Sequence, residues 1–491
     1  MLKPFAAVHW NFITAAHLLN RAGFGGTPAE IEKLAAMSPQ QAVSALLDYE
    51  QTPDSTGDPV WAKTDPDHAK KLAELRAATG DQKRELQKQE RQLQRERLLE
   101  LRGWWLQRMA EGSRPFQEKM TLFWHGHFAT SFTKVRDAYY MWRQNELFRR
   151  MATGNWLQML VEVAKDPAML VWLDQAQSRK QHPNENFARE AMELFTLGEG
   201  HYTEKDVTEA ARAMTGWSLN REKQSFIHRP GAHDTGVKTV LGKTGNFTGE
   251  DVLEIIVAQP QAAVFITGKL WNFFAGEVPS PELNTALAAE FRRGGNEFKP
   301  LLRTMFLSEE FYAPALIRHQ IKSPVQWLVS SVRMLECKLP PPKASVFLLS
   351  TLGQDLFAPP NVKGWDGGQA WINTNTLLAR YNEAAAIAEG DASLLAGMAA
   401  GKKPAQRRQM ENRLKKARIG GVNVEKILTV EERSDKDQLL TALEKRLLQS
   451  TLKENQRQAV RDYLSSKGEL DESDIRGAIR LIMSTPEYQL T

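Results

Sequence analysis

Helix-start signals recur along the chain and constrain its fold more than any other feature. The segment Thr27–Glu30 is a capping box with proline at the first helical position. Ser38-Pro39 and Ser280-Pro281 start helices by the same logic, and Thr203 and Thr248 each precede an aspartate by three residues. Runs of alternating β-branched residues are nearly absent. The sequence therefore predicts a mostly α protein, a large multi-helix globular body with irregular loops and a small hairpin.

The composition excludes several classes of protein. The 491 residues are 42% hydrophobic and 25% charged, as in ordinary globular proteins, which argues against extended disorder. Thirteen tryptophans and 21 phenylalanines can fill a large core. Because 59 acids accompany the 64 bases, the net charge is only +5, and we expect no nucleic-acid binding. The richest basic run, 402–418, is typical of a solvated helix or a linker.

Cysteine usage and hydropathy limit the compartment. The single cysteine, Cys337, excludes an internal disulfide and a thiolate metal cluster. No apolar run approaches the length of a membrane span. The first residues make a poor signal peptide, since His9 interrupts their apolar segment. We therefore expect a cytoplasmic protein without a membrane span; periplasmic export is the alternative if a signal has been removed.

Composition shifts divide the chain into four segments. We expect an N-terminal helical segment and loop, a charged helical arm, a helical core that carries the polar motifs, and a charged C-terminal helical subdomain, at 1–66, 67–111, 112–388 and 389–491. Gly80 predicts a break inside the arm, and 82–100 has almost no apolar stripe. A solvated antiparallel helix pair is favoured there over a partner-binding coiled coil. Residues 220–247 indicate a loop with a short hairpin.

Two histidines in the segment W-H-G-H-F at 124–128 are candidate metal ligands. In a strand, His125 and His127 would point the same way and could share one ion. In a helix they lie roughly 200° apart, so they converge only if Gly126 breaks the helix. We expect His127 to point into the core, and a structural pair of hydrogen-bonded histidines is the alternative.

A second polar group is predicted on a helix over 183–197, with Asn184 as N-cap. At 100° per residue, one narrow stripe gathers two glutamates, an arginine and an asparagine: Asn186, Arg189, Glu190 and Glu193. A buried stripe needs partners for its charges, and Arg212 on the following helix is one candidate. We predict Glu190, Glu193, Arg189 and Arg212 as catalytic residues. A solvated polar face is equally compatible with the pattern.

Four further residues complete the candidate site. His233-Asp234 offers an imidazole beside a carboxylate, which suits a metal shell. Trp365 and Trp371 lie in a Gly- and Pro-rich segment and could form a pocket wall. We therefore predict a metal site at His125, His127, His233 and Asp234, and a cofactor site at Asn186, Trp365 and Trp371. Simple loop packing is the alternative for the tryptophans.

Six ordered motifs resemble one bacterial family, the domain-of-unknown-function family numbered 1800. The motifs are A-H-L-L-N-R-A-G-F-G at 16–25, W-H-G-H-F at 124–128, N-E-N-F-A-R-E at 184–190, E-A-A-R-A-M-T-G-W at 209–217, H-D-T-G-V-K-T at 233–239 and P-P-N-V-K-G-W at 359–365. The resemblance implies no settled activity. It does imply that members are often exported and that a protein encoded by a neighbouring gene is a possible partner. It also indicates that Phe195 stands where many members carry histidine.

Two functions compete on this sequence. The first is an enzyme, hydrolytic or redox, with a buried histidine and carboxylate site for a divalent metal such as zinc, iron or manganese and for an unknown ligand. The order of its motifs is also similar to that of animal-type haem peroxidases, which makes haem a second candidate cofactor. The second function is a helical scaffold or binding protein whose buried polar network fixes the packing.

Overall fold

The structure is a computed structural model that describes residues 2–390 and 421–491. The described ranges contain 24 α-helices and two small two-stranded sheets, so the mostly α prediction is confirmed. The basic run 402–418 lies outside the described residues, as does the first part of the predicted C-terminal subdomain. In the described ranges, none of the helices combines the length and the apolar character that crossing a bilayer requires.

Among the first five helices, the starts of the second and third and the break inside the arm agree with the local signals. Capping boxes at Thr27 and Ser38, each followed by proline, start the second and third helices. The predicted break before Gly80 separates the two helices of the arm. These helices are α1 (Phe12–Ala22), α2 (Pro28–Ala35), α3 (Pro39–Leu47), α4 (His68–Ala77) and α5 (Gly80–Glu111).

Seven helices follow and carry most of the polar motifs. They are α6 (Pro115–His127), α7 (Phe132–Val135), α8 (Ala138–Arg150), α9 (Trp156–Ala164), α10 (Pro167–Trp172), α11 (Glu185–Glu193) and α12 (Glu204–Ala213). Asn184 caps α11 as predicted, with its side chain accepting from the amide of Asn186. The helix ends at Glu193, four residues before the predicted end, because the next turn widens toward Gly198, whose φ is +83°.

Two antiparallel hairpins interrupt the helices. The strands are β1 (Trp217–Asn220), β2 (Ser225–His228), β3 (Lys238–Val240) and β4 (Lys243–Gly245). In the first hairpin Ser218 faces Ile227, and in the second Thr239 faces Thr244. The predicted hairpin near 238–242 is therefore present. The first hairpin, which begins at Trp217, was not predicted.

Twelve further helices complete the described chain. Before the gap they are α13 (Gly249–Val257), α14 (Pro260–Ala275), α15 (Pro281–Arg293), α16 (Phe298–Phe306), α17 (Pro324–Met334), α18 (Pro342–Thr351) and α19 (Thr374–Glu389). After it they are α20 (Val424–Ile427), α21 (Val430–Ser434), α22 (Lys436–Leu447), α23 (Glu454–Ser465) and α24 (Glu472–Met483).

Two hydrophobic clusters hold these elements together. The first core is built mainly by α1–α3, α6, α9 and α11–α16, and the second by the end of α5, α17–α20 and α22–α24. Helix α6 lies between them, since Phe123 and Trp124 belong to the first core and Leu122 to the second. Helix α5 begins in solvent, with residues 80–85 exposed, and enters the interior toward its other end, where Trp105 is fully buried. The polar motifs on α6 are consequently enclosed from both sides.

Candidate functional site

Helix α6 separates the two histidines of W-H-G-H-F. The helix continues through Gly126 to His127, so the side chains of His125 and His127 leave it on different sides. The expected sharing of one metal ion by these two rings is therefore wrong, because it required a break at Gly126. Both rings are buried, and the expectation that His127 points into the core is confirmed.

His125 is held as a neutral ring by an amide. Arg149 donates to Asn145 Oδ1 at 2.6 Å, which leaves Asn145 Nδ2 to donate to His125 Nε2 at 2.9 Å. The ring centroids of Trp105 and Phe148 lie 4.5 and 4.8 Å away. Burial first, and the charge of Arg149 second, lower the pKa of His125 well below its ordinary value. His125 is therefore packed between aromatic rings and accepts a hydrogen bond from Asn145.

A buried ion network lies beside His125 and was not predicted from the sequence. Glu118, 1% exposed, accepts from Arg108 Nε at 2.9 Å, from Arg149 Nε at 2.7 Å and from Trp105 Nε1 at 2.9 Å. Burial alone would raise the pKa of Glu118, but Arg149 and Arg108 together lower it. Arg108 also donates to Asp54 at 2.5 Å. Both carboxylate oxygens of Glu118 are thus satisfied, as a structural role requires.

His127 is also neutral, and both of its nitrogens have partners. Its Nε2 donates to the carbonyl oxygen of Phe195 at 3.0 Å, and Lys269 Nζ lies 3.5 Å from its Nδ1. Burial, followed by the charge of Lys269, lowers the pKa of His127 well below its ordinary value. Burial likewise lowers the pKa of Lys269 to about 8, and its ammonium donates to the carbonyl oxygen of Leu194 at 3.1 Å. This pair fixes the turn that ends α11.

On α11, the predicted stripe divides into a surface part and a half-buried part. Asn186 is exposed, and Arg189 pairs with Glu204 at 2.6 Å and with Glu185 at 3.5 Å. Glu190 is half-buried, three residues from Glu193 on the helix. Arg189 therefore belongs to a surface ion pair rather than to the carboxylate pair.

The two glutamates have different surroundings. Glu193 accepts from the hydroxyl of Tyr202 at 2.7 Å. The carboxyl of Glu190 accepts no hydrogen bond from any residue in the described ranges. Burial first, and the charge of Glu193 second, raise the pKa of Glu190, while Arg189 and Lys363 oppose the shift. Glu190 therefore holds a proton more readily than an ordinary glutamate does.

The loop that carries Lys363 is pressed against α6. Gly364 has a φ of +88°, and a Cβ on it would overlap the carbonyl oxygen of Gly126. Trp365, half-buried, lies over the same glycine. Trp371 is 7% exposed and packs near Gly353, so the two tryptophans contact different parts of the chain. The motifs at 124–128 and 359–365 thus meet at a glycine-to-glycine contact.

Replacing Gly364 with alanine should destabilise the fold by about 1–3 kcal/mol, since both the positive φ and the overlap with Gly126 oppose a side chain. Gly368→Ala is the matched control, because Gly368 also has a positive φ but has nothing within 4 Å of an added Cβ. Urea unfolding of the two variants measures the difference. Equal losses in both would show that the contact with Gly126 contributes nothing.

Arg212 and the pair His233-Asp234 form a separate group. Arg212 donates to Asp234 at 2.8 and 3.2 Å and to both oxygens of Glu209 at 3.0 Å. The hydrogen bond from Arg212 lowers the pKa of Asp234. The Nδ1 of His233 faces the carbonyl oxygen of Thr215 at 3.0 Å. The expectation that Arg212 neutralises the glutamates of α11 is wrong, because its guanidinium is taken up by Glu209 and Asp234.

In the described part of the chain, no three His, Cys, Asp or Glu side chains are grouped so as to hold a metal ion. The four predicted metal ligands accordingly do not form one group. The rings of His125, His127 and His233 each have a different hydrogen-bond partner: Asn145, the carbonyl oxygen of Phe195 and the carbonyl oxygen of Thr215. What the structure does bring together is the pair Glu190 and Glu193 with Lys363. Sequence reasoning missed Tyr202, Lys269 and Lys363, none of which stands out without the fold.

Comparison with known proteins identifies a family alone. Neither the curated proteins nor the solved structures contain a match to the chain. The sequence model of one family, described as "Protein of unknown function (DUF1800)", matches residues 17–490, which is nearly the whole chain. The ordered motifs quoted above all lie within or at the edge of that range. The protein therefore belongs to the DUF1800 family.

Proposed function

We propose that the protein is a hydrolytic enzyme in which Glu190 and Glu193 act as an acid and base pair. The observation that carries this proposal is the half-buried carboxyl of Glu190, which has a raised pKa and accepts no hydrogen bond from the described residues. A carboxyl of that kind beside a second carboxyl is an arrangement that general acid and base catalysis uses.

Each glutamate takes one role. Glu193, whose carboxyl accepts a hydrogen bond from the hydroxyl of Tyr202, takes a proton from the attacking water. Glu190 donates its proton to the oxygen of the leaving group. Lys363 lies close enough to oppose the shift of Glu190 and balances the charge of the pair. On this proposal, the exposed Asn186 and the half-buried Trp365 contact the substrate, whereas Arg189 and Arg212 hold the helices in place.

The protonation of Glu190 can be measured without a known substrate. Labelling with a carbodiimide and glycine ethyl ester modifies protonated carboxyls, and peptide mass spectrometry reports each glutamate as a function of pH. We expect the labelling midpoint of Glu190 to lie above that of exposed Glu199 in the same chain. Glu193→Gln should lower the midpoint of Glu190, because it removes the charge that raises the pKa. Coinciding midpoints for Glu190 and Glu199 would contradict the proposal.

Activity provides the second readout. A panel of chromogenic glycosides and esters is the probe, with Glu199→Gln as the matched control variant. With any substrate that the protein hydrolyses, Glu190→Gln should lower kcat about 10²–10⁴-fold. Glu199→Gln should leave kcat unchanged. Retained activity in Glu190→Gln would remove Glu190 from the mechanism.

A non-enzymatic scaffold is the competing function, and one observation favours it. In the network around Glu118, several charged side chains form ion pairs that stabilise the packing of the interior. On that alternative, the Glu190 and Glu193 pair has no catalytic role and none of the chromogenic substrates is hydrolysed.

A further inference from the structure

An open groove runs between the first hairpin and the turn at Gln175–Gln177. It consists of two cavities of about 560 and 490 Å³ that share Ala176, Ser218 and Arg229 as lining residues. Each volume falls within the range of known ligand sites, roughly 300–1,000 Å³. None of the lining residues belongs to the Glu190 and Glu193 pair, so the groove is a distinct surface.

The charges along the groove are unbalanced. Two of its cations have partners: Lys134 lies 2.7 Å from Asp174, and Arg76 lies 3.1 Å from Glu222. The remaining cations are three arginines that make no ion pair with any residue in 2–390 or 421–491: Arg179, Arg221 and Arg229. Three guanidinium groups without carboxylates, along one concavity, present a surface suited to carboxylate, sulfate or phosphate groups.

Main-chain contacts fix the backbone from which these arginines project. The amide of Arg229 donates to Gly216 O at 2.8 Å, and the amide of Gly216 donates to Ser178 O at 3.2 Å. Arg179 forms a β-bridge with His182, and the carbonyl oxygen of Arg221 faces His68 Nε2 at 3.0 Å. Main-chain contacts of this kind reduce the ordering cost of binding.

Gly216 is the residue that joins the walls of the groove. Its φ is +83°, and an added Cβ would lie 2.7 Å from the carbonyl oxygen of Arg229. Glycine is therefore required at this position of the motif T-G-W, where the backbone of β1 meets that of residue 229. The glycine of this motif is thus explained by the backbone of the groove and not by the glutamates of α11.

The uncharged lining narrows the class of ligand. Amides and hydroxyls alternate with the arginines: Gln177, Ser178, Gln181, Ser218 and Asn220. Among the described residues, no aromatic ring lines either cavity, so the groove lacks the stacking surface that single-stranded nucleic acids use. Hydroxyl-binding amides interleaved with anion-binding guanidinium groups match a ligand that carries both hydroxyls and anionic groups.

We propose that this groove binds an acidic oligosaccharide, one bearing carboxylate or sulfate groups, through Arg179, Arg221 and Arg229. The inference does not depend on catalysis by Glu190, since the two surfaces share no lining residue.

Isothermal titration calorimetry on the full chain tests it. The probes are hexagalacturonate, a heparin-derived hexasaccharide, neutral cellohexaose and a six-nucleotide oligo-dT. We expect at least one acidic sugar to bind and cellohexaose and oligo-dT not to bind. Arg179→Gln and Arg229→Gln should each weaken binding about tenfold, and binding should also weaken as salt is raised. Arg292→Gln is the control, because Arg292 is exposed, makes no ion pair in the described ranges and lies outside the groove.

Three results would overturn the proposal: no binding of either acidic sugar, equal binding of oligo-dT with loss in the same variants, or acidic-sugar binding that survives the double variant of Arg179 and Arg229. Thermal unfolding of each variant checks that the fold is intact. Since both arginines are on the surface, we expect their variants to have the same unfolding temperature as the wild type.

Discussion

Glu118→Ala should destabilise the protein by about 3–5 kcal/mol, the largest loss that we expect from a single polar substitution. The variant leaves Arg108 and Arg149 buried with their shared carboxylate removed. It also removes the acceptor of the Trp105 indole. Arg108 keeps Asp54 and Arg149 keeps Glu146 as partners, but each guanidinium loses a buried acceptor that water cannot reach to replace. Urea unfolding followed by tryptophan fluorescence measures the loss.

Two variants make that result specific. Glu118→Gln keeps the volume and an acceptor oxygen, so its loss should be smaller than that of the alanine variant. Glu111→Gln alters an exposed glutamate, the last residue of α5, and should change the free energy of unfolding by less than about 0.5 kcal/mol. If Glu118→Ala were as mild as Glu111→Gln, the network would have no role in stability.

A pH dependence is the second large effect that we expect, and it comes from Lys119. This lysine is buried on α6, donates to Gln326 at 2.5 Å and lies over the ring of Phe24 at 5.0 Å. Burial first, and the charge of Arg21 second, lower the pKa of Lys119 from 10.5 to about 7. Between those two values the unfolded chain binds the extra proton and the folded chain does not. Stability contributed through Lys119 therefore rises with pH from about 7 to about 10.

Comparison with Lys119→Met isolates this contribution. Wild-type protein should gain several kcal/mol relative to the variant between pH 7 and pH 10, since each unit of pKa shift is worth about 1.4 kcal/mol. Other titrating groups are common to both proteins and cancel in the difference. Urea unfolding across the pH range gives the two curves. Parallel curves would mean that Lys119 titrates as an ordinary lysine.

Local chemistry made the helix boundaries predictable. Thr27, Ser38 and Asn184 each satisfy backbone amides with their own side chains, and that interaction is encoded within four residues. The hairpin at Trp217 was missed because its strands are only four residues long and follow a helix directly. Short strands carry too few residues for an alternating pattern to emerge.

The candidate site was predictable only in part, because most of its partners are distant in sequence. The stripe on α11 was identified from helical spacing, yet Lys363 and Tyr202 reach it through the fold. Glu118 has no sequence signal at all, since its partner Arg149 lies 31 residues away. The sharing of a metal by His125 and His127 depended on one question, whether Gly126 interrupts α6. No local pattern answers that question.

Helix α5 has a mechanical consequence. Its 32 residues correspond to about 48 Å of unbroken rod, from the solvent-exposed beginning at Gly80 to the buried indole of Trp105 and beyond. No proline lies within that span to act as a joint. Any force or partner that tilted the outer end would shift the indole and pull on the carboxylate of Glu118. Motion of the outer end of α5 is in this way coupled to the ion network around Glu118.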